Sequence, residues 1–361
     1  MSRLKSDVQL TLLSRIPVML LSFLSVVFLT RLLGPEGNGV YTFTLAVLNL
    51  FFTVIGFQLE STLPVFLARD KENRPSIFSA IGLLAVTSMI TFAIVLSVIV
   101  FIIPGGDQWV IPHGQPVIFF FLFLLLAFIL RRISTLMQAS LRGTFEFKSF
   151  NVYVLLNQLI PSLVYGSLLF FAVNGEHQID VLTCFKVILL LETTIVAIGW
   201  LLLRRKRLIS FSGDFREYLR PVSSLSAKSL LSASGHFLNK RLDVWFVQFY
   251  RGTALLGQYG LATQIANFVS DAMSPFNQVL VPHIAEATPE QHNEIVERTA
   301  RLNMSIAFTA AVLIAGTSWF FIPLFFGRSF ADAIPATQVL AIGIIFISQR
   351  LVFTGYFKAI N

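Results

Sequence analysis

Residues 77–103 read IFSAIGLLAVTSMITFAIVLSVIVFII, 27 consecutive positions without a charged side chain. As a helix rising about 1.5 Å per residue, such a run spans about 40 Å, enough to cross the roughly 30 Å of hydrocarbon in a bilayer. It does not read as a barrel strand, which is shorter and alternates apolar with polar positions. Nine more apolar windows lie on either side of it, at 11–32, 40–63, 117–139, 150–173, 182–203, 223–247, 255–281, 299–322 and 334–357. The sequence therefore predicts an all-α membrane protein that crosses the bilayer many times.

The composition agrees. Of 361 residues, 55% are hydrophobic and only 13% charged, where a soluble domain carries about 25% charge to keep its surface wet. Thirty-seven phenylalanines point the same way. The net charge of +8 does not read as a nucleic-acid signal, because the basic residues sit between the apolar runs and act as topology signals. Cys184 is the sole cysteine, so neither an intrachain disulfide nor a thiolate metal cluster is available. No small-residue cleavage site follows the first apolar run, which is expected to stay as an uncleaved span.

Charge sets the orientation. The N-terminus and the loops 64–76, 140–149, 204–222 and 282–298 hold fourteen Lys and Arg, six of them in 204–222; the opposite loops hold Arg251 and Arg328 alone. By the positive-inside rule the N-terminus is cytoplasmic, and the protein is expected in the cell inner (plasma) membrane. The outer loops are too short to house a catalytic domain. No P-loop, H-E-x-x-H, C-x-x-C or G-x-S-x-G occurs, and the five histidines, His113, His177, His236, His283 and His292, lack metal-ligand spacing. No cofactor, metal or enzymatic activity is expected.

The second half echoes the first at an offset of 218 residues. Gly34 aligns with Gly252, Gly39 with Gly257, Tyr41 with Tyr259, Asn49 with Asn267 and Pro64 with Pro282; one residue further along, Ile103-Pro104 aligns with Ile322-Pro323. Apolar residues coincide readily by chance, but Gly, Tyr, Asn and Pro at one offset do so much less. The offset spans six helices, an even number, so the copies share one orientation and form a parallel repeat. Two six-helix lobes related by a pseudo-two-fold are thus expected: an N-terminal lobe at 1–203, a basic cytoplasmic linker at 204–222 and a C-terminal lobe at 223–361. The second lobe stops after four helices, so a parent chain longer by about 60 residues, the length of two more spans, is expected.

The segment Phe28-Leu-Thr-Arg-Leu-Leu-Gly-Pro-Glu-Gly-Asn-Gly-Val-Tyr41 resembles the first hairpin of the O-antigen and polysaccharide flippases, which typically reads L-G-P-x-x-x-G-x-Y. These belong to the multidrug/oligosaccharidyl-lipid/polysaccharide exporter superfamily. Leu67-Ala68 before Arg69, Arg241-x-Asp243, and Leu256-Gly257-Gln258-Tyr259 with Ala262 extend the resemblance in order along the chain. It implies transport of a lipid-linked oligosaccharide by alternating access between the lobes. It also implies membrane lipids as partners and the polysaccharide polymerase machinery as a further candidate. Family members usually have twelve or more helices, a departure that the shorter second lobe makes plain.

Charges inside spans are functional candidates, because removing them from water is costly. Arg15 lies two residues before Pro17, which can bend helix one. Arg131 and Arg132 are adjacent and point about 100° apart on a helix, so one is expected inward while the other snorkels. Arg350 matches them in the second copy. Lys228, Lys240, Arg241 and Asp243 share one helix, with Lys240 and Asp243 spaced to pair and Arg241 pointing elsewhere. Arg15, Arg131, Arg132, Arg241, Arg350 and Lys228 are the candidates for a cationic substrate site. Arginine meets a diphosphate with bidentate, charge-assisted bonds, which suits an undecaprenyl-diphosphate sugar.

Glu192, near the middle of its span, has no cation three or four residues away and needs either a proton or a base from another helix. Glu60, Glu192 and Asp243 are the candidates for coupling H⁺ or Na⁺ to transport. The plainer reading of each of these charges is a snorkelling anchor or a structural ion pair. Competing functions are a multidrug exporter of the same superfamily, which would want acidic residues lining the first lobe, and a membrane polysaccharide polymerase or ligase, which would want a large external loop.

Overall fold

The structure, a computed structural model, describes the backbone of residues 2–174, 179–206, 208, 213–286 and 289–360, and within these the side chains outside 2–14, 232, 236, 238–240, 271–286, 289–293, 295, 351 and 354–360. Among the described residues it is all helix, without strands. The helices are α1 (Ser2–Val54), α2 (Leu59–Arg69), α3 (Arg74–Ser97), α4 (Asp107–Val110), α5 (Val117–Gly143), α6 (Phe147–Asn174), α7 (Val181–Arg205), α8 (Arg216–Arg251), α9 (Thr253–Glu286), α10 (Pro289–Phe326) and α11 (Ala333–Ile360). Seven described helices are long and apolar enough to cross a membrane, and the protein is a multi-pass membrane protein.

The apolar windows map onto these helices with local differences. α1 holds two windows in one continuous run, kinked at Gly34 (φ 64°, ψ −178°). That conformation belongs almost solely to glycine, since a Cβ would strain it. Pro17 does not interrupt α1, whose one non-helical residue is Gly34. The window 40–63 breaks after Val54 and resumes at Leu59 as α2, which continues past the expected loop boundary to Arg69. α8 fills the window 223–247. The window 255–281 runs beyond the described side chains of α9.

Many large apolar side chains face outward, among them Phe171 at 68% and Phe346 at 72% exposure. In water such a surface would be unstable; against lipid it is the expected one.

Two compact units emerge. One comprises Met1–Ser25 with Val40–Thr253, the other Val26–Gly39 with Ala254–Asn361. In the first unit, α2 lies against α5 and α8, and α5 against α7. Leu63, Leu67, Ile81, Ala139 and Val222 share its core on the α2–α3 side. A second cluster joins α5, α6 and α7 through Met137, Leu141, Tyr153 and Ile195. Thr62 on α2 and Ser226 on α8 form a buried hydroxyl pair at 3.0 Å, a polar link within an apolar interface. In the second unit, the Asn38 amide donates to the Gly257 carbonyl at 2.7 Å, and Asn303 on α10 donates to the Ser348 carbonyl on α11 at 2.8 Å.

Candidate functional site

The polar centre of the first unit forms where helix two breaks. Residues 55–58 leave the helix, and Phe57 (φ 54°) and Gln58 (φ 49°) adopt the left-handed conformation without being glycine. Such residues cost on the order of 1–3 kcal/mol each and persist only where surrounding structure holds them. Here the Gln58 carbonyl takes up the donors of the new helix start. It accepts from the Ser61 and Thr62 backbone N–H at 3.0 and 3.3 Å, and from their hydroxyls at 2.8 and 3.3 Å. Glu60, in the first turn of α2, gains from the positive end of the helix dipole.

Arg132 reaches this break from α5. Its side chain is fully buried, and its Nη1 donates to the Glu60 carboxylate at 3.0 Å, with Glu60 at 22% exposure. The guanidinium lies over the Phe52 ring at 4.2 Å and near Phe128 at 5.8 Å, a face that attracts cations. Phe128 in turn stacks on Phe92 at 4.1 Å, which closes the wall around the charge. Nε and Nη2 of Arg132 find no hydrogen-bond partner among the described residues. Gly56 makes the approach possible: a Cβ there would stand 2.1 Å from Nη2 and 2.0 Å from the Phe52 carbonyl oxygen.

Arg131, its neighbour on α5, is half-buried. Its guanidinium lies 5.3 Å from the centre of the same Phe52 ring and within electrostatic range of Glu192 on α7, of Tyr41 and of Glu60. Both arginines thus lie by the Phe52 ring, and Arg132 alone of the two has a carboxylate within ion-pair distance among the described residues. Arg132 is the member of the adjacent pair that is fully buried and ion-paired, and a buried charge is tolerated when it is paired. Glu192 is half-buried on α7. Tyr153 and Tyr165 are buried nearby, and the Tyr153 hydroxyl pairs with Ser134 on α5 at 2.9 Å.

The other candidates lie elsewhere. Arg15 is half-buried in α1. Arg241 and Asp243 are half-buried in α8, where the Asp243 carboxylate accepts from the Val244 N–H at 3.0 Å, while Lys228 is exposed on the same helix. Arg350 is exposed on α11, so the match it makes with Arg131 or Arg132 by offset is not a match of burial. The side chains of Lys240, His236, His283 and His292 lie outside the described residues, as does His177.

Sequence reasoning missed the break at 55–58, Gly56 and the tyrosines. Gly56 followed two residues later by Gln58, inside an apolar window, was the available signal. It also missed a clasp on the polar side of this unit. The Tyr218 hydroxyl on α8 donates to Asp70 Oδ2, and Asn73 adds its side-chain amide at 2.9 Å and its backbone N–H at 3.1 Å. Together these bonds, led by that of Tyr218, pull the Asp70 carboxyl down to about 2, while the same bond pushes the Tyr218 phenol up.

Residues 4–288 match the family model described as polysaccharide biosynthesis protein, more than half of the chain. The chain belongs to that family. The fold of this polysaccharide biosynthesis protein is also that of known transporters. It is similar to the inward-facing conformation of a multidrug resistance MATE family transporter of the MOP superfamily, with a TM-score of 0.70 at 15% identity, over 95% of this chain and 82% of that one. It is similar as well to the eukaryotic MATE transporter AtDTX14, with a TM-score of 0.52 at 11% identity, over 97% of this chain and 83% of that one. No curated protein matches the sequence. Identities this low carry the fold alone; the family carries the link to polysaccharide.

Proposed function

We propose that this polysaccharide biosynthesis protein is a flippase that carries an undecaprenyl-diphosphate-linked oligosaccharide, a unit of O-antigen, capsule or exopolysaccharide, across the cytoplasmic membrane. It does so by alternating access between two lobes, coupled to H⁺ or Na⁺, and breaks no bond in its cargo. The observation that carries this reading is the pair of arginines inside one span of a family tied to polysaccharide synthesis. A diphosphate entering low dielectric needs cations already placed there, and arginine offers it planar, bidentate donors. A cavity for cationic drugs would favour carboxylates without arginine. Glu192 and Glu60 supply exchangeable charge beside those arginines, and Arg15, Arg241, Lys228 and Arg350 are further contacts for the anionic path. Its place is the inner membrane with the N-terminus in the cytoplasm, where the lipid-linked unit is made and from which the polymerase machinery receives it.

The test is genetic and chemical. Cells that lack the gene should lose the surface polymer and accumulate the lipid-linked unit on the cytoplasmic face, and the wild-type gene should restore both. Arg241→Lys should retain part of the transport, and Arg241→Ala should lose nearly all of it while still inserting. Unchanged surface polymer in the deletion strain would overturn the reading. The MATE folds favour one alternative, export of drugs, for which the deletion strain would become drug-sensitive and keep its polymer.

A further inference from the structure

The Arg132–Glu60 pair is asymmetric. Arg132 is fully buried and keeps its proton under all physiological conditions. Glu60 is partly exposed and sits in the first turn of α2, where water and the helix dipole can hold its charge after separation. If the pair separates, the arginine is therefore the member that needs a new partner. A proton on Glu60 would not provide one, since it would leave an uncompensated buried cation. An anion would. The arginine is prepared for one: its Nε and Nη2 are buried donors without a described partner, and Nη2 lies against Gly56 in the break.

The break adds the moving part. Phe57 and Gln58 adopt left-handed backbone there, a strained conformation for residues other than glycine. Arg132 sits at this break: its Nη2 lies against Gly56, and its Nη1 bond to Glu60 bridges α5 to the first turn of α2. We propose that the Arg132–Glu60 pair is a latch on the hinge at residues 55–58, and that it opens by exchange, with a phosphate-type anion taking Arg132 from Glu60. This rests on the transport reading for the source of that anion, the diphosphate of a lipid-linked cargo. In that setting the cargo itself, and not a proton, unlocks helix two. Gly56 is the positioning residue that lets the guanidinium lie in the break.

The experiment uses the full chain in lipid nanodiscs, with Cys184→Ser to remove the native thiol and Ser61→Cys carrying an environment-sensitive fluorophore on the exposed first turn of α2. Farnesyl diphosphate should change the fluorescence saturably, and farnesol, with the same tail and no phosphate, should not. A step from about pH 7 to about pH 5 without ligand should also leave it unchanged. Glu60→Gln, an isostere that no longer competes, should bind farnesyl diphosphate about tenfold tighter. Arg132→Ala should lose the response. Wild-type affinity in Glu60→Gln, or the full response from acid alone, overturns the latch. The two proposals fail separately: the latch can fail in nanodiscs while the gene still restores surface polymer, and farnesyl diphosphate can work the hinge in a protein whose deletion spares the polymer.

Discussion

Gly34 and Gly252 stand 218 positions apart and adopt one backbone conformation, φ 64° with ψ −178° in the first and φ 82° with ψ 176° in the second. Each marks the junction of two successive helices. The offset that aligns them in sequence also aligns Gly39 with Gly257. The unusual geometry thus recurs at the offset found in the sequence.

Both glycines should resist substitution for the same reason. Gly34→Ala and Gly252→Ala meet no steric neighbour within 4 Å, so their cost is backbone strain alone, of about 1–3 kcal/mol. Gly316→Ala in α10 also meets nothing within 4 Å, and in an ordinary helix it should stabilise by about 0.5–1 kcal/mol. Thermal unfolding in detergent separates these cases. A neutral Gly34→Ala would mean that the kink needs no glycine.

Removing either member of the Arg132–Glu60 pair should destabilise the protein, and unequally. Glu60→Ala leaves Arg132 buried without its partner, at a cost of about 3–5 kcal/mol. Arg132→Ala leaves Glu60, which is partly exposed and can be solvated, so the loss should be smaller. The double replacement should cost less than the sum of the two. Simple additivity in a double-mutant cycle would show that the two side chains do not stabilise each other.

Acid should loosen the clasp at Asp70. Its carboxyl is drawn from 3.8 down to about 2 in the folded protein, so the folded state binds its proton less readily than the unfolded chain. The stability it contributes is present above about pH 4 and lost as the pH falls toward 2. Tyr218→Phe removes the leading bond and should return the carboxyl toward its ordinary value. Wild type and Asp70→Asn should differ in unfolding temperature at about pH 6 and converge near pH 2. Equal temperatures at both ends would dismiss the clasp.

The charge bias of the loops makes a topology experiment decisive. With Cys184→Ser as background, single cysteines at Asn73 or Asp214 should be shielded from an impermeant thiol reagent on intact cells. Cysteines at Gln108 or His113 should react. Labelling at Asn73 from outside would invert the orientation.

By itself the sequence determined the all-helical membrane class and the family, because hydropathy and local motifs survive being read one segment at a time. Arg131, Arg132, Glu60 and Glu192 were legible as costly charges within spans. Tertiary structure decided what each of them meets. Arg132 finds Glu60 72 positions away, and Tyr218 finds Asp70 148 positions away. The break at 55–58 likewise does not follow from its own residues' preferences, since Phe57 and Gln58 both disfavour left-handed backbone. A buried charge must be paired, but which partner it takes depends on which helix faces meet, and hydropathy does not encode that.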